Sequence, residues 1–230
     1  MTHRSFWFTA LPAAVSLLAV GSADADLLIQ GVIDGDLPGG LPKAIVLRAN
    51  SPEGDLSQFA VGSATNGGGT DGPEAQLTGS ANAGDFILVV FNADSQNFFS
   101  NNFTDSFIFL IDNVAANING NDAIELFFDP GSGFGGSETV IDTYGQPTVN
   151  GTGQFWEYTD GYAARIAGGA DPTFADGGDN YSINEDALDT LTEDQQADLL
   201  AGAFGWTRVP EPGSLALLAI GSALLARRRR

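Results

Sequence analysis

The side chains able to do covalent or acid–base chemistry are few. His3 is the one histidine and the chain has no cysteine. Once an N-terminal segment carrying His3 is removed, a Ser-His-Asp triad, a Cys-His pair and a zinc site of imidazole or thiolate are all out of reach. Lys43 is the one lysine, and its place inside an expected strand suits a solvated or packed role better than a Ser-Lys arrangement. Carboxylates are abundant, and a pair of them can hydrolyse a glycoside without histidine. Glu125 and Glu157 are the candidates for such a pair, with solvation or backbone capping as the alternative.

Two oxygen-rich loops could hold calcium, which takes six to eight oxygen ligands. One offers Asn119, Asn121 and Asp122, and the other Asp176 and Asp179. Neither follows the full EF-hand pattern. Turn chemistry alone is the preferred reading of both, with calcium as the alternative, because Asn119-Gly120 favours a tight turn with positive φ and its neighbours can bind local amides. No other cofactor is expected. Gly131-Ser132-Gly133-Phe134-Gly135-Gly136 has the spacing of a dinucleotide fingerprint. That motif needs a following helix, whereas Thr139 to Tyr144 reads as a strand, so a hairpin loop is expected. Asn66 to Gly72 lacks the Gly-Lys-Ser/Thr of a phosphate loop.

These residues must be positioned by short segments rich in β-branched and aromatic residues, set between glycine, asparagine and aspartate clusters. The expected strands are Leu27 to Ile33, Lys43 to Ala49, Phe86 to Phe91, Phe107 to Ile111, Ala123 to Phe128, Thr139 to Tyr144 and Gly161 to Ile166. Seven such strands suggest a sandwich. Ile124 and Leu126 should face its core, with Glu125 on the other side. Ser182 to Glu185 and Thr192 to Gln195 both read as capping boxes. One or two short helices are therefore expected between Glu185 and Ala203, burying Leu188, Leu191, Leu199 and Leu200, before a last strand near Phe204 to Arg208.

The ends carry addresses. His3 and Arg4, an apolar run from Phe6 to Val20, and Ala23-Asp24-Ala25 follow the order of a secretory signal, so signal peptidase should cut before Asp26. At the other end, Val209-Pro210-Glu211-Pro212 precedes an apolar run from Gly213 to Ala226 and then Arg227, Arg228, Arg229 and Arg230. As a helix that run rises about 21 Å, short of a hydrocarbon core of about 30 Å, so insertion is marginal. The arginines should stay cytoplasmic. The expected division is thus a signal peptide over 1–25, an acidic domain over 26–208 and a sorting segment over 209–230. A lasting single-pass anchor is the alternative reading of the tail.

The tail resembles that of the PEP-CTERM proteins. That resemblance implies processing by an exosortase in a Gram-negative, exopolysaccharide-producing bacterium, a transient stay in the inner membrane, and then release or attachment at the surface, with exopolysaccharide as a candidate partner. The central domain resembles a bacterial lamin-tail-like domain at Gly31 to Gly35, Pro42 to Ile45, Asn66 to Gly72, Ala116 to Leu126 and Gly153 to Tyr158. This likeness implies an all-β fold: an immunoglobulin-like β-sandwich used for attachment or recognition, with short helices near its C-terminal end and terminal apolar helices beyond it. No active site comes with it.

The formal net charge is −20. Between residues 26 and 208 the basic side chains are Lys43, Arg48, Arg165 and Arg208. Such a domain repels phosphate backbones at long range, which argues against nucleic acid as a partner. A non-catalytic surface or matrix protein is the leading reading. The alternatives are a carboxylate- or metal-dependent hydrolase and a carbohydrate-binding module.

Overall fold

The structure is a computed structural model that describes residues 27–166 and 180–210. The expected terminal helices, Ala23, Ala25, Asp176, Asp179, Glu211, Pro212 and Arg227 to Arg230 lie outside these residues.

Each of the seven expected strands forms, with bounds shifted by a few residues at most. They are β1 (Leu27–Leu37), β2 (Leu41–Ala49), β5 (Phe86–Val90), β6 (Phe107–Ile111), β7 (Ala123–Phe128), β8 (Thr139–Tyr144) and β9 (Tyr162–Arg165). Three further strands complete two sheets: β3 (Phe59–Ala64), β4 (Ala75–Gln76) and β10 (Tyr181–Asn184). One sheet has the order β10-β9-β1-β2-β5-β6 and the other β4-β3-β7-β8. Between them lies one core, where Ile29, Val32, Ile45 and Leu47 meet Val61, Ile124, Leu126 and Tyr144.

The six-stranded sheet is buried on its second face as well. There Ile33, Ala44, Val46, Leu88 and Val90 pack under two helices, α1 (Ala93–Asn102) and α2 (Glu193–Phe204). The result is three layers: helices, six strands, four strands. Burial on both faces explains why β2 and β5 read as unbroken apolar runs, Ile45-Val46-Leu47 and Ile87 to Val90.

Helix α1 was not expected, because Asn, Asp, Ser and Gln dominate it and favour loops over helix interiors. It forms because β5 and β6 are parallel and need a crossover. The Asn92 side chain caps it by accepting from the Ser95 N–H at 2.8 Å, and Phe98 and Phe99 are buried on its inner face.

Near the C-terminus one helix forms. Thr192 and Gln195 make the expected capping box, and α2 ends at Gly205, whose φ of 72° suits the left-handed cap. The other expected box does not form. Ser182 to Asn184 pair with β9 as strand β10, with Tyr181 buried against the inter-sheet core. Leu188 and Leu200 are buried as expected, but Leu199 is 40% exposed. The expected last strand reduces to a single bridge between Phe103 and Arg208, because α2 runs on to Phe204.

Candidate functional site

Helix α2 covers only part of the six-stranded sheet. Beside its C-terminal end a cleft of about 510 Å³ opens onto the sheet, lined by Gln30, Arg48, Asn50, Tyr162, Ser182 and Phe204 among others. Register places its floor: Leu28 opposes Arg48 across β1 and β2, and Ala164 opposes Ser182 across β9 and β10. Gly31 sets the wall. A Cβ there would lie 2.2 Å from the Ala163 carbonyl oxygen and 2.7 Å from the Phe204 ring, so only glycine lets Phe204 settle on the sheet.

The electrostatics of the cleft differ from those of the rest of the domain. Lys43 pairs with Asp34, Arg165 with Asp142, and Arg208 with Asp194 and Asp198. Arg48 is exposed, with its guanidinium 5.6 Å above the Phe86 ring. Among the described residues no carboxylate lies within ion-pair distance of it. No described lining residue is acidic. Burial raises the Tyr162 phenol above its ordinary value, so it stays neutral and can donate. Of the two arginines in the lining, Arg165 is paired with Asp142, so the lining supplies the Arg48 cation with neutral amides and hydroxyls, a set suited to holding a polar ligand.

Beneath the cleft a buried network ties the two sheets together. Arg165 turns into the sandwich, where its Nη2 donates to Asp142 Oδ2 at 2.6 Å and to the Tyr181 hydroxyl at 2.7 Å, and its Nε donates to the Ile29 carbonyl at 2.8 Å. Asp142 also accepts the Ile29 N–H at 2.7 Å and the Thr143 N–H at 2.9 Å. Burial outweighs these contacts and pushes the Asp142 carboxyl up to about 6.

The loop singled out for calcium is a structural hub. Asp122 is fully buried, and its carboxylate accepts the Asn66 N–H at 2.8 Å and the Asn119 N–H at 3.0 Å. The Asn121 amide donates to Asn66 and Thr152, each at 3.1 Å. Asn119 Oδ1 faces the Lys43 ammonium at 3.4 Å. One carboxylate already engaged by two amides, beside a lysine, does not fit a calcium cage. Gly120 takes the positive φ expected of it, 79°.

Glu125 and Glu157 also secure loops. Glu125 does face away from the inter-sheet core, but it is 4% exposed because the loop after β3 folds over it and Thr70 donates to its carboxylate at 3.0 Å. Burial raises its pKa. Glu157 accepts from the Gly153 N–H and the Thr159 hydroxyl. Lys43 is packed: its ammonium pairs with Asp34 and donates to the Ile118 carbonyl at 2.6 Å. Gly131 to Gly136 form the loop of the β7–β8 hairpin, held by Asp129, which accepts the Gly131, Gly133 and Phe134 N–H groups. Those bonds lower the Asp129 pKa.

The cleft residues escaped sequence reasoning because they come from β1, β2, β9, β10 and α2, far apart along the chain. The one available signal was Arg48, a rare cation in an acidic domain.

The chain leaves the domain at Arg208 to Pro210. Arg208 Nη1 donates to the Asn102 side chain at 2.7 Å, and the Val209 N–H donates to the Asn102 carbonyl at 3.0 Å. Val209 and Pro210 are exposed.

Fold and site together define a mostly β domain with a polar cleft and an accessible C-terminal exit. At that exit, residues 208–230 match the PEP-CTERM protein-sorting motif. The motif marks an exported protein processed at the membrane by an exosortase. No curated protein and no solved structure matches the chain. The lamin-tail-like likeness has no family match behind it. No helix among the described residues is long and apolar enough to cross a membrane.

Proposed function

We propose that this is a non-catalytic protein of the cell surface or extracellular matrix, which recognises a hydroxyl-rich polymer such as exopolysaccharide through the cleft beside α2. The observation that carries the reading is a sorting motif joined to a domain in which Arg48, outside every described ion pair, lines a cleft free of described carboxylates. Sugar hydroxyls suit Gln30, Asn50 and Ser182, and an occasional acidic sugar suits Arg48. The candidate catalytic acids, Glu125 and Glu157, each hold a loop. The two facing sheets support a lamin-tail-like recognition sandwich, to which α1, α2 and the parallel β5–β6 pair add a helical layer.

The test is binding of the exported protein to a glycan array, with and without calcium, while soluble products are monitored. Bound polymer without new reducing ends is expected, with Arg48→Ala weakening capture by about 10- to 150-fold, as the loss of a charged hydrogen bond of about 1.5–3 kcal/mol implies. Release of reducing ends would establish the hydrolase instead.

A further inference from the structure

A sheet edge exposes unpaired N–H and C=O groups, and proteins ordinarily blunt such edges by shortness, charge, proline, bulges or side-chain cover. Among the described residues, three of the four edges are blunted. β4 has two residues. β8 carries the inward Asp142 and a register irregularity opposite Leu126/Phe127. In β10 the Asn184 amide folds back onto the Ser182 carbonyl at 3.1 Å.

β6 has none of these devices. It is Phe107-Ile108-Phe109-Leu110-Ile111, paired among the described residues only with β5. Phe107 and Phe109 pack toward the helical layer, Ile108 and Leu110 toward the inter-sheet core, and all four keep a partly exposed rim. Ile111 is 49% exposed, and Val114 just beyond it 56%.

We infer that this edge is a self-association site, where β6 of one copy pairs antiparallel with β6 of a second copy about a two-fold axis at Phe109. The flanking aspartates select the register, and the match of the apolar strip to itself in that register selects a second copy as the occupant. With Phe109 opposite itself, Phe107 faces Ile111 and Ile108 faces Leu110, so all five apolar residues are matched. Asp105 then falls opposite Asn113 of the second copy, and Asp112 opposite its Ser106. A slip of one residue sets Asp105 against Asp112, or Asp112 against Phe107. A slip of two sets an aspartate against Ile111 or Ile108. Each alternative places a charge in the apolar strip or opposes like charges, which destabilises a strand pair. The joined sheet has twelve strands. Because each copy is strongly acidic, association tightens as salt screens the bodies from each other.

The chain has no cysteine, so single cysteines report register cleanly. Directly opposed Cα atoms lie about 4.5–5.5 Å apart, within disulfide reach of about 4.4–6.8 Å. Two Ile111 residues would be offset by four positions, about 13 Å, beyond that reach. The exported protein should sediment as a dimer whose fraction rises between low and moderate salt. Phe109→Cys should cross-link to itself under mild oxidation while Ile111→Cys does not, and Ile111→Lys, at an exposed site, should be a folded monomer. A wild type monomeric at high micromolar concentration and moderate salt overturns the inference. So does a dimer that survives Ile111→Lys, or an Ile111→Cys variant that cross-links as fast as Phe109→Cys.

Discussion

Replacing Arg165 by methionine keeps most of the side-chain volume and leaves Asp142 buried without its cation. Asp142 is 1% exposed and Arg165 6%, so water cannot take the place of the lost partner. Removing one member of a buried pair costs about 3–5 kcal/mol. For a domain of this size each kcal/mol moves the melting temperature by about 2–4 °C, so a fall of roughly 10 °C is expected. Asp142→Asn strands the guanidinium instead and should cost a comparable amount. The double variant removes both charges and should be at least about 2 kcal/mol better than the sum of the singles.

The pH dependence follows from the same group. The folded pKa of Asp142, about 6, lies above its unfolded value, so the folded state binds more protons between the two. Its contribution to stability is full below the unfolded pKa of about 3.9 and is lost as pH rises through about 6. Going from pH 7 to pH 5 the wild type should therefore gain on the order of 1 kcal/mol from this group. Arg165→Met raises the Asp142 pKa further, so its deficit should shrink at pH 5, whereas Asp142→Asn should lose this gain. Urea denaturation of the exported proteins at both pH values measures all four. Additive single effects, or a deficit in Arg165→Met that is unchanged by acid, would refute the reasoning.

Thr192→Ala removes the α2 capping box and should cost about 1 kcal/mol by the same denaturation assay, while Thr190→Ala should cost less than half of that. Since the Asp122 carboxylate holds two backbone amides and Asn119 Oδ1 faces the Lys43 ammonium, Asn121 Oδ1 is the one oxygen of the three side chains without a partner among the described residues, too little for a calcium cage. Melting curves in calcium and in chelator at matched ionic strength should therefore coincide unless the segment holding Asp176 and Asp179 binds the ion. A shift that grows with free calcium and disappears in Asp176→Asn/Asp179→Asn would place the site there. Mass spectrometry of surface or released protein from an exosortase-bearing host should find no peptide from Leu215 to Arg230, and deleting the exosortase should leave the uncut chain in the inner membrane. Intact tail peptides from most of the surface protein would favour a lasting anchor.

Local chemistry was enough wherever it had a single outcome. Seven of the ten described strands were legible because β-branched and aromatic runs between turn residues have few other folds, as were the Thr192 cap and the positive φ of Gly120. The tail was legible because a sorting signal is read as a linear string. What the strands build was decided only in three dimensions. Helix α1 carries residues that favour loops, and it exists because the parallel β5 and β6 demand a crossover and Phe98 and Phe99 gain a core. Ser182 to Glu185 suits a helix start as well as a strand, and pairing with β9 settled it. The carboxylates differ most. Glu125, Asp122 and Asp142 look alike in the sequence, yet one lies under a loop, one holds two backbone amides and one meets an arginine across the sandwich. Burial and partner determine what a carboxylate does, and both come from segments distant along the chain.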